Sequence, residues 1–531
     1  VIKLNQTFKS KRNPVYAKNG VVATSEGLAA QAGLDILKQG GNAIDAAVAT
    51  AAALTVVEPT SNGIGSDCFA IVYHEGQLHG MNASGYSPKN ISIDTLKKRG
   101  LKEMPPFGVE PITIPGTPKG WARLIERFGS LPLSQVLQPA IDLARDGFIV
   151  SKTVGYYWQR AIKAYQKRLK GEQFKTFFDV FTKDNEPYQA GDVFKSERHA
   201  RTLELIASTN AKAFYEGELA TRIVDFMKEH NGFISLDDLK NYDVEFVDPI
   251  SIHYKGYDVF EIPPNGQGIT ALMALNLLKD DVYQYEDVIT VHKQIEALKI
   301  AFSDTLTYVT DPVFMKLNPQ YLISDDYVTL RQKDIKDTAQ SPTPIEYQSA
   351  GTVYLATADQ MGNMVSFIQS NYMGFGSGVV IDETGIAMQN RGHTFSLDET
   401  HHNALQPRKR TYHTIIPGFL MKDKAPLGPF GVMGGFMQPQ GHVQVLMNLI
   451  DFKMDVQAAL DAPRFRWNEG LKVSIEASFN NQLAKGLLAK GHILTKDIID
   501  TGYGRGQIIF KQKNGYVAGT ETRCDGHIAY Y

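Results

Sequence analysis

Among 531 residues, Gly351-Thr352 stands where a hydroxyl could become a nucleophile. The strand-like run Val353-Tyr354-Leu355-Ala356-Thr357-Ala358-Asp359 follows at once. If the Gly351–Thr352 bond is cut, Thr352 begins a new chain, and its own α-amine can serve as base for its own hydroxyl. Locally, the commoner meaning of such a threonine is a β-branched residue opening a strand. Gly434-Gly435 is the second suggestive pair, because glycines let backbone N–H groups approach a ligand as an oxyanion hole requires; a plain turn after a strand has the same appearance. Asn363, Ser370 and Asn371 could orient a nucleophile, although hairpins commonly contain such residues.

Other motifs carry less. Gly374-Phe375-Gly376-Ser377-Gly378 and Gly502-Tyr503-Gly504-Arg505-Gly506 do not join a strand to a helix, so both are expected to be turns rather than dinucleotide loops. His401-His402, with His393 and His413, lacks a helical His-x-x-x-His pair; exposed loop histidines are expected, and no metal. No Gly-x-Ser-x-Gly elbow is present. No cofactor is expected.

These residues need elements to hold them. Glu26–Gln39 has helical spacing and stops at Gly40-Gly41. Asn42 can cap the alanine-rich helix that runs through Asp45 to Val56 and ends at Glu58-Pro59. Phe69–Tyr73 and Gln77–Met81 read as a hairpin. Gly116–Gly147 is helical, 151–230 is mostly charged helix, and Ile252–Ile262 returns to strand. Gly268–Leu278 and Val291–Tyr308 are expected to be amphipathic helices. The polar stretch Gln332–Ala350, with Ser341-Pro342-Thr343-Pro344, reads as a mobile loop.

Beyond Gly351 strands and turns dominate. Val353–Asp359 and Met364–Asn371 flank a tight turn. Gly385–Asn390, Ile415–Met421, Gly431–Met433, Ile508–Lys511 and Gly515–Gly519 are further strand candidates, with helices at His442–Ile450 and Val456–Leu460. Helices first, interleaved elements next and strands last suggest sheets covered by helices.

Apolar content of 43% and a formal charge of −2 describe a globular protein without an electrostatic call for nucleic acid or an anionic membrane. Cys68 and Cys524 show no metal spacing, so reduced thiols are expected. The N-terminus lacks the apolar core of a signal peptide, which points to a cytoplasmic protein.

One resemblance ties the pieces together. Gly40-Gly41-Asn42-Ala43-Ile44-Asp45-Ala46-Ala47-Val48, Val57-Glu58-Pro59, Gly63-Ile64-Gly65, Pro139–Phe148, Glu296–Asp304, Gly351-Thr352, Phe375–Gly378, Gly434-Gly435 and Ala462–Phe465 resemble, in order, the γ-glutamyltransferases (glutathione hydrolases). The resemblance implies an α+β, N-terminal-nucleophile hydrolase with a four-layer αββα sandwich, made as a proenzyme that cuts itself. Residues 1–351 would form the large segment and 352–531 the small one, associated after cleavage as one unit, with room for a homodimer. Thr352 maps onto the nucleophile, Gly434 and Gly435 onto the oxyanion hole, and Ser370 onto a hydroxyl that steadies the nucleophile.

Substrate recognition departs from the family. Ser84 stands where the resemblance sets an arginine for the glutamyl α-carboxylate, and His413-Thr414 where it sets a serine pair. Thr394 replaces the acid that holds the α-amine, and the family asparagine is displaced to Asn371. Arg391 could bind a carboxylate from another direction or be a surface ion-pair residue. The short Ser396–Pro407 segment suggests an open pocket. The pattern resembles the branch that includes cephalosporin acylases, which points to a small-molecule amide substrate with altered acyl specificity. Two alternatives stand beside it: true γ-glutamyl transfer with Arg391 compensating, and a binding protein that never cleaves.

Overall fold

The computed structural model describes residue 8 and residues 10–341, 351–497 and 502–531. Residues 342–350 of the polar stretch before Gly351 lie outside them. Two seven-stranded antiparallel sheets form the centre. One runs in the order His527–Tyr530, Val21–Thr24, Gly351–Ala358, Met364–Tyr372, Asp67–His74, Gln77–Ala83, Glu245–Val247. The other runs Val15–Ala17, Gly515–Thr520, Arg505–Gln512, Ala425–Met433, Gly418–Lys422, Tyr257–Glu261, Ile250–Tyr254.

Period-two alternation assigns each strand face. Tyr354, Ala356 and Ala358 join Phe419, Met433 and Ile509 in the core between the sheets. Val353 and Leu355 face the helices Gly27–Lys38 and Ala43–Val57 instead. The second sheet turns Leu420, Phe430, Val432 and Ile508 toward the helices Gly268–Leu278, Val288–Tyr308 and Met437–Ile450. Helix, sheet, sheet, helix: the four-layer αββα sandwich is present. Because Gly351–Ala358 is an interior strand, the residues before and after Gly351 interleave in one sheet.

Local chemistry explains the helices over the first sheet. Asn42 Oδ1 accepts from the Ile44 and Asp45 N–H groups (2.9 and 3.0 Å), and Asp45 Oδ2 accepts from the Asn42 N–H (2.8 Å). This reciprocal cap starts the Ala43–Val57 helix, buried along its whole length. Gly33 lets the preceding helix come close, since a Cβ there would lie 2.2 Å from Thr50 Oγ1.

Several expectations need correction. Gly268–Leu278 is buried all round rather than amphipathic, because it is sandwiched between the second sheet and other helices. Gly385–Asn390 contributes only the two-residue strand Ile386–Ala387. A three-stranded sheet of Phe465–Glu469, Lys472–Glu476 and Ile493–Asp497 was not legible; Lys472–Glu476 is buried at four successive positions and Ile493–Asp497 at none, so neither shows strand alternation. Residues 336–340 are held rather than loose: His292 Nε2 bonds the Lys336 carbonyl (2.7 Å), Glu296 Oε2 accepts from the Gln340 N–H (3.1 Å), and Lys299 Nζ donates to the Gln340 carbonyl (2.8 Å).

Candidate active site

A break in strand pairing sets Thr352 apart. Gly351 pairs with Tyr372 and Val353 with Gln369, so the single residue Thr352 lies opposite Ser370 and Asn371. Strand parity turns Thr352 and Ser370 to the inter-sheet side, whereas Gln369 faces the helix Ala43–Val57, donating to the Ala51 carbonyl (3.2 Å). Thr352 is fully buried.

Ser370 organises this end of the strand. Its Oγ lies 3.1 Å from Thr352 Oγ1, 2.8 Å from the Gly351 carbonyl oxygen, and accepts from the Tyr372 N–H at 2.8 Å. A hydroxyl has one proton, and the Gly351 carbonyl can only accept. Ser370 therefore donates to that carbonyl, and the Thr352 hydroxyl donates to Ser370. The Gly351 carbonyl is thereby polarised by the group that orients the threonine proton. Tyr372, at φ +74°, takes a backbone conformation uncommon for an aromatic residue, costing roughly 1–3 kcal/mol.

Gly434 and Gly435 turn the Ala425–Met433 strand into the Met437–Ile450 helix with φ of +137° and +58°. A Cβ on Gly434 would meet Gly504 Cα at 3.2 Å, so both conformation and space favour glycine there. The turn is tied to its surroundings: Gln267 Nε2 donates to the Gly435 carbonyl (2.9 Å) and the Thr414 carbonyl (2.6 Å), while Tyr412 Oη donates to Gln267 Oε1 (3.2 Å). Behind the strand, His442 Nε2 accepts from the Val432 N–H (3.1 Å), so its proton sits on Nδ1 and is donated to Glu261 (2.7 Å).

The residues at the recognition positions are bonded to the protein itself. Arg391 is fully buried, which overturns its reading as a surface ion-pair residue. Its Nε and Nη2 reach the two oxygens of Asp67 (3.0 and 3.2 Å), Nη1 donates to Thr414 Oγ1 (2.7 Å), and the guanidinium lies 4.6 Å from the Tyr372 ring centre. His413 is also buried, contrary to the expectation of an exposed loop histidine. Its Nδ1 accepts from the Ile415 N–H (3.3 Å), leaving Nε2–H to donate to Asp67 (2.7 Å).

Burial opposes ionisation of Asp67, but Arg391 and then His413 outweigh it and hold its pKa at about 2. Burial and the Arg391 charge together lower His413 to about 4, against the pull of Asp67. The trio is a carboxylate, a guanidinium and a neutral imidazole. Ser84 Oγ donates to Asn82 Oδ1 (2.7 Å), and Thr394 Oγ1 lies 2.8 Å from the Arg391 carbonyl and 2.7 Å from Thr411 Oγ1. Asn371 falls on the opposite strand face from Ser370, where its Oδ1 accepts from Ser66 Oγ (2.8 Å).

Sequence reasoning missed Asp67, Gln267 and Glu261. Asp67 alone left a signal: an acid at the head of the apolar run Cys68–Tyr73 needs a buried partner. A cavity of about 990 Å³ opens between Tyr372 and Phe436, and the short 396–407 segment supplies part of its wall through Asp398, Thr400 and His401–Asn403.

Among the described residues, His292, Glu296 and His492 bring possible metal-ligand atoms within 4.8 Å of one another. Their donor set fits a metal poorly. His292 Nδ1 already bonds His492 Nε2 (2.9 Å), and Lys299 Nζ occupies Glu296 (2.8 Å). Cys68 and Cys524 are free and buried. No helix among the described residues is long and apolar enough to cross a membrane.

Facing sheets between helical layers, with a hydroxyl residue near the head of an interior strand, define the N-terminal-nucleophile hydrolase class of amidohydrolases. The family model for gamma-glutamyltranspeptidase matches residues 29–531, and the chain belongs to that family. It is 36% identical to the glutathione hydrolase-like YwrD proenzyme of Bacillus subtilis (strain 168), over 96% of this chain and 98% of that protein. It is 32% identical to the acylase ACY 1 proenzyme of Pseudomonas sp. (strain SE83), over 98% and 95%. The crystal structure of cephalosporin acylase from Bacillus halodurans is similar with a TM-score of 0.96 at 53% identity, covering 99% of this chain and 98% of that one. The protein is thus a hydrolase of the γ-glutamyltranspeptidase family with cephalosporin acylase-like neighbours.

Proposed function

We propose that this hydrolase is a self-processing threonine amidohydrolase that cuts before Thr352 and then uses Thr352 to form an acyl-enzyme. One observation carries the reading: Ser370 Oγ bonds both the Thr352 hydroxyl (3.1 Å) and the Gly351 carbonyl (2.8 Å). In maturation, Thr352 Oγ attacks the Gly351 carbon, while Ser370 donates to the carbonyl oxygen on which charge develops. The Gly351–Thr352 C–N bond then breaks, the Thr352 nitrogen leaving as an amine with the hydroxyl proton, and water hydrolyses the resulting ester to free the Thr352 hydroxyl and a Gly351 carboxylate. The two products are residues 1–351 and 352–531, which stay together as one αββα unit because their strands share both sheets. The proenzyme names of the relatives support this course.

In turnover, the freed amine takes the Thr352 hydroxyl proton; a terminal amine with a pKa of roughly 7.7–8 is partly neutral at cellular pH. The Oγ attacks an amide carbonyl, and the N–H groups of the Gly434-Gly435 turn hold the oxyanion. The acyl group passes from Thr352 to water or to an amine.

The acyl specificity differs from γ-glutamyl recognition. Arg391 acts as a positioning residue that neutralises Asp67 and fixes Thr414, rather than as a ligand for a substrate carboxylate. The deciding experiment is a denaturing gel with a substrate panel. Wild type should run as two pieces and Thr352→Ala as one, and the cleaved protein should release amine from simple acyl amides faster than from γ-glutamyl-p-nitroanilide. An uncleaved wild-type chain sinks the proposal; efficient γ-glutamyl turnover restores the transferase reading.

A further inference from the structure

The cavity lined by Tyr372 and Phe436, which follow Ser370 and Gly435 in the chain, has a chemistry that narrows the acyl group. It begins at Tyr372, whose N–H bonds Ser370 (2.8 Å), and at Phe436, the residue directly after Gly435. Tyr412 stacks on Phe436 with ring centres 6.0 Å apart and planes at 19°. Phe395, Leu306 and Leu317 extend this wall. His401 and His402 lie 4.2 Å apart at the mouth; burial lowers both pKa values, that of His402 to about 4, so neither is a cation near neutral pH.

Formal charge is confined to the rim. Of the residues lining the cavity, Glu103, Asp398 and Lys316 are charged, and all three are exposed. Asp398 is already bonded by the N–H and hydroxyl of Thr400 (2.9 and 2.8 Å). Behind Tyr372, Arg391 is fully buried and paired with Asp67. A carboxylate or ammonium carried past the rim would therefore lose its hydration without meeting a lining Asp, Glu, Lys or Arg. A flat apolar group would lose little there and gain ring contacts.

We propose that the acyl half of the substrate is an uncharged, aryl-bearing group, of the phenylacetyl kind, seated against Tyr372, Tyr412 and Phe436. The cavity is assigned to the acyl half because its wall begins at Tyr372 and Phe436, which follow Ser370 and Gly435, the groups proposed to act at the acyl carbonyl. The inference rests on Thr352 as the acyl-forming nucleophile. Thr352 Oγ bonds the arylacyl carbon as the amide C–N bond breaks, and the amine leaves with the hydroxyl proton. Water then cleaves the ester, releasing the aryl acid and restoring the hydroxyl.

The test uses the cleaved full chain with p-nitroanilides of phenylacetyl, acetyl, glutaryl and γ-glutamyl groups, and a second series in which only the amine varies. Phenylacetyl should give the highest kcat/KM, by about tenfold or more. Leu306→Trp, which narrows the cavity, should raise KM for phenylacetyl about tenfold more than KM for acetyl. Calorimetry on the uncleaved Thr352→Ala chain reads the cavity without turnover, and phenylacetamide should bind about tenfold more tightly than glutaramate. A glutaryl or γ-glutamyl preference overturns the inference. So does an aryl preference that follows the amine, or equal damage to acetyl by Leu306→Trp. If cleaved protein hydrolyses nothing while phenylacetamide still binds preferentially, the nucleophile reading has failed and the cavity reading has not.

Discussion

Two neighbouring regions of the inter-sheet cleft meet the same physical problem, burial of polar groups, in opposite ways. Around Thr352 the hydrogen-bonded groups are neutral: two hydroxyls and a peptide carbonyl, linked by bonds of 2.8–3.1 Å. On the adjacent strand, Asp67 sits directly opposite Ser370 and forms with Arg391 and His413 a buried ionic trio whose donors and acceptors face one another. Neutral hydroxyls can be buried and still exchange partners, because each bond they make is worth only about 0.5–1.5 kcal/mol net. A buried ion pair resists such exchange, since removing one partner strands the other. The first region is therefore suited to chemistry and the second to scaffolding, although the family resemblance sets recognition residues at His413-Thr414.

Thr352→Ala should break the contrast most severely, giving a single chain on a denaturing gel and no amide turnover. Ser370→Ala removes the donor to the Gly351 carbonyl and should slow self-cleavage by about 10²–10³-fold in a time course of freshly refolded chain. Arg391→Ala should act mainly on folding, lowering stability by about 3–5 kcal/mol in urea titration because Asp67 is left buried and unpaired. If Arg391→Ala instead abolished γ-glutamyl turnover in a fully stable protein, the division between the regions would be wrong.

Protonation gives a finer test. His413 is held near 4 when folded against about 6.5 when unfolded, so between those values the unfolded chain binds the extra proton. Its contribution to stability is present above about pH 6.5 and falls as pH drops toward 4; His413→Gln should flatten that part of the stability profile. Asp67, ionised down to about 2, adds a further loss below about pH 4. Activity should follow a different curve, rising through about pH 7.7–8 as the Thr352 amine loses its proton. Coincident profiles would deny the separation.

Much of the fold was legible because its signals are local. The Asn42 cap, the alanine-rich helix and the hairpin about 359–363 follow from neighbours in sequence, and the structure contains each. Gly268–Leu278 was read as amphipathic because a helix pattern does not report that covering layers lie on all sides. The sheet of Phe465–Glu469, Lys472–Glu476 and Ile493–Asp497 escaped notice because a parallel pairing between its last two strands spans a helix.

The sequence by itself determined the candidate chemistry: a glycine–threonine junction at a strand, a glycine pair after another, and an ordered family likeness over nearly the whole chain. Those are properties of residue type and order. Tertiary structure alone decided which way the Thr352 hydroxyl donates, because that depends on Ser370 having both a carbonyl to donate to and an N–H to accept from. It also decided that Arg391 is internal. A guanidinium's role is set by the nearest carboxylate, and Asp67 lies 324 residues away in sequence but 3.0 Å away in space.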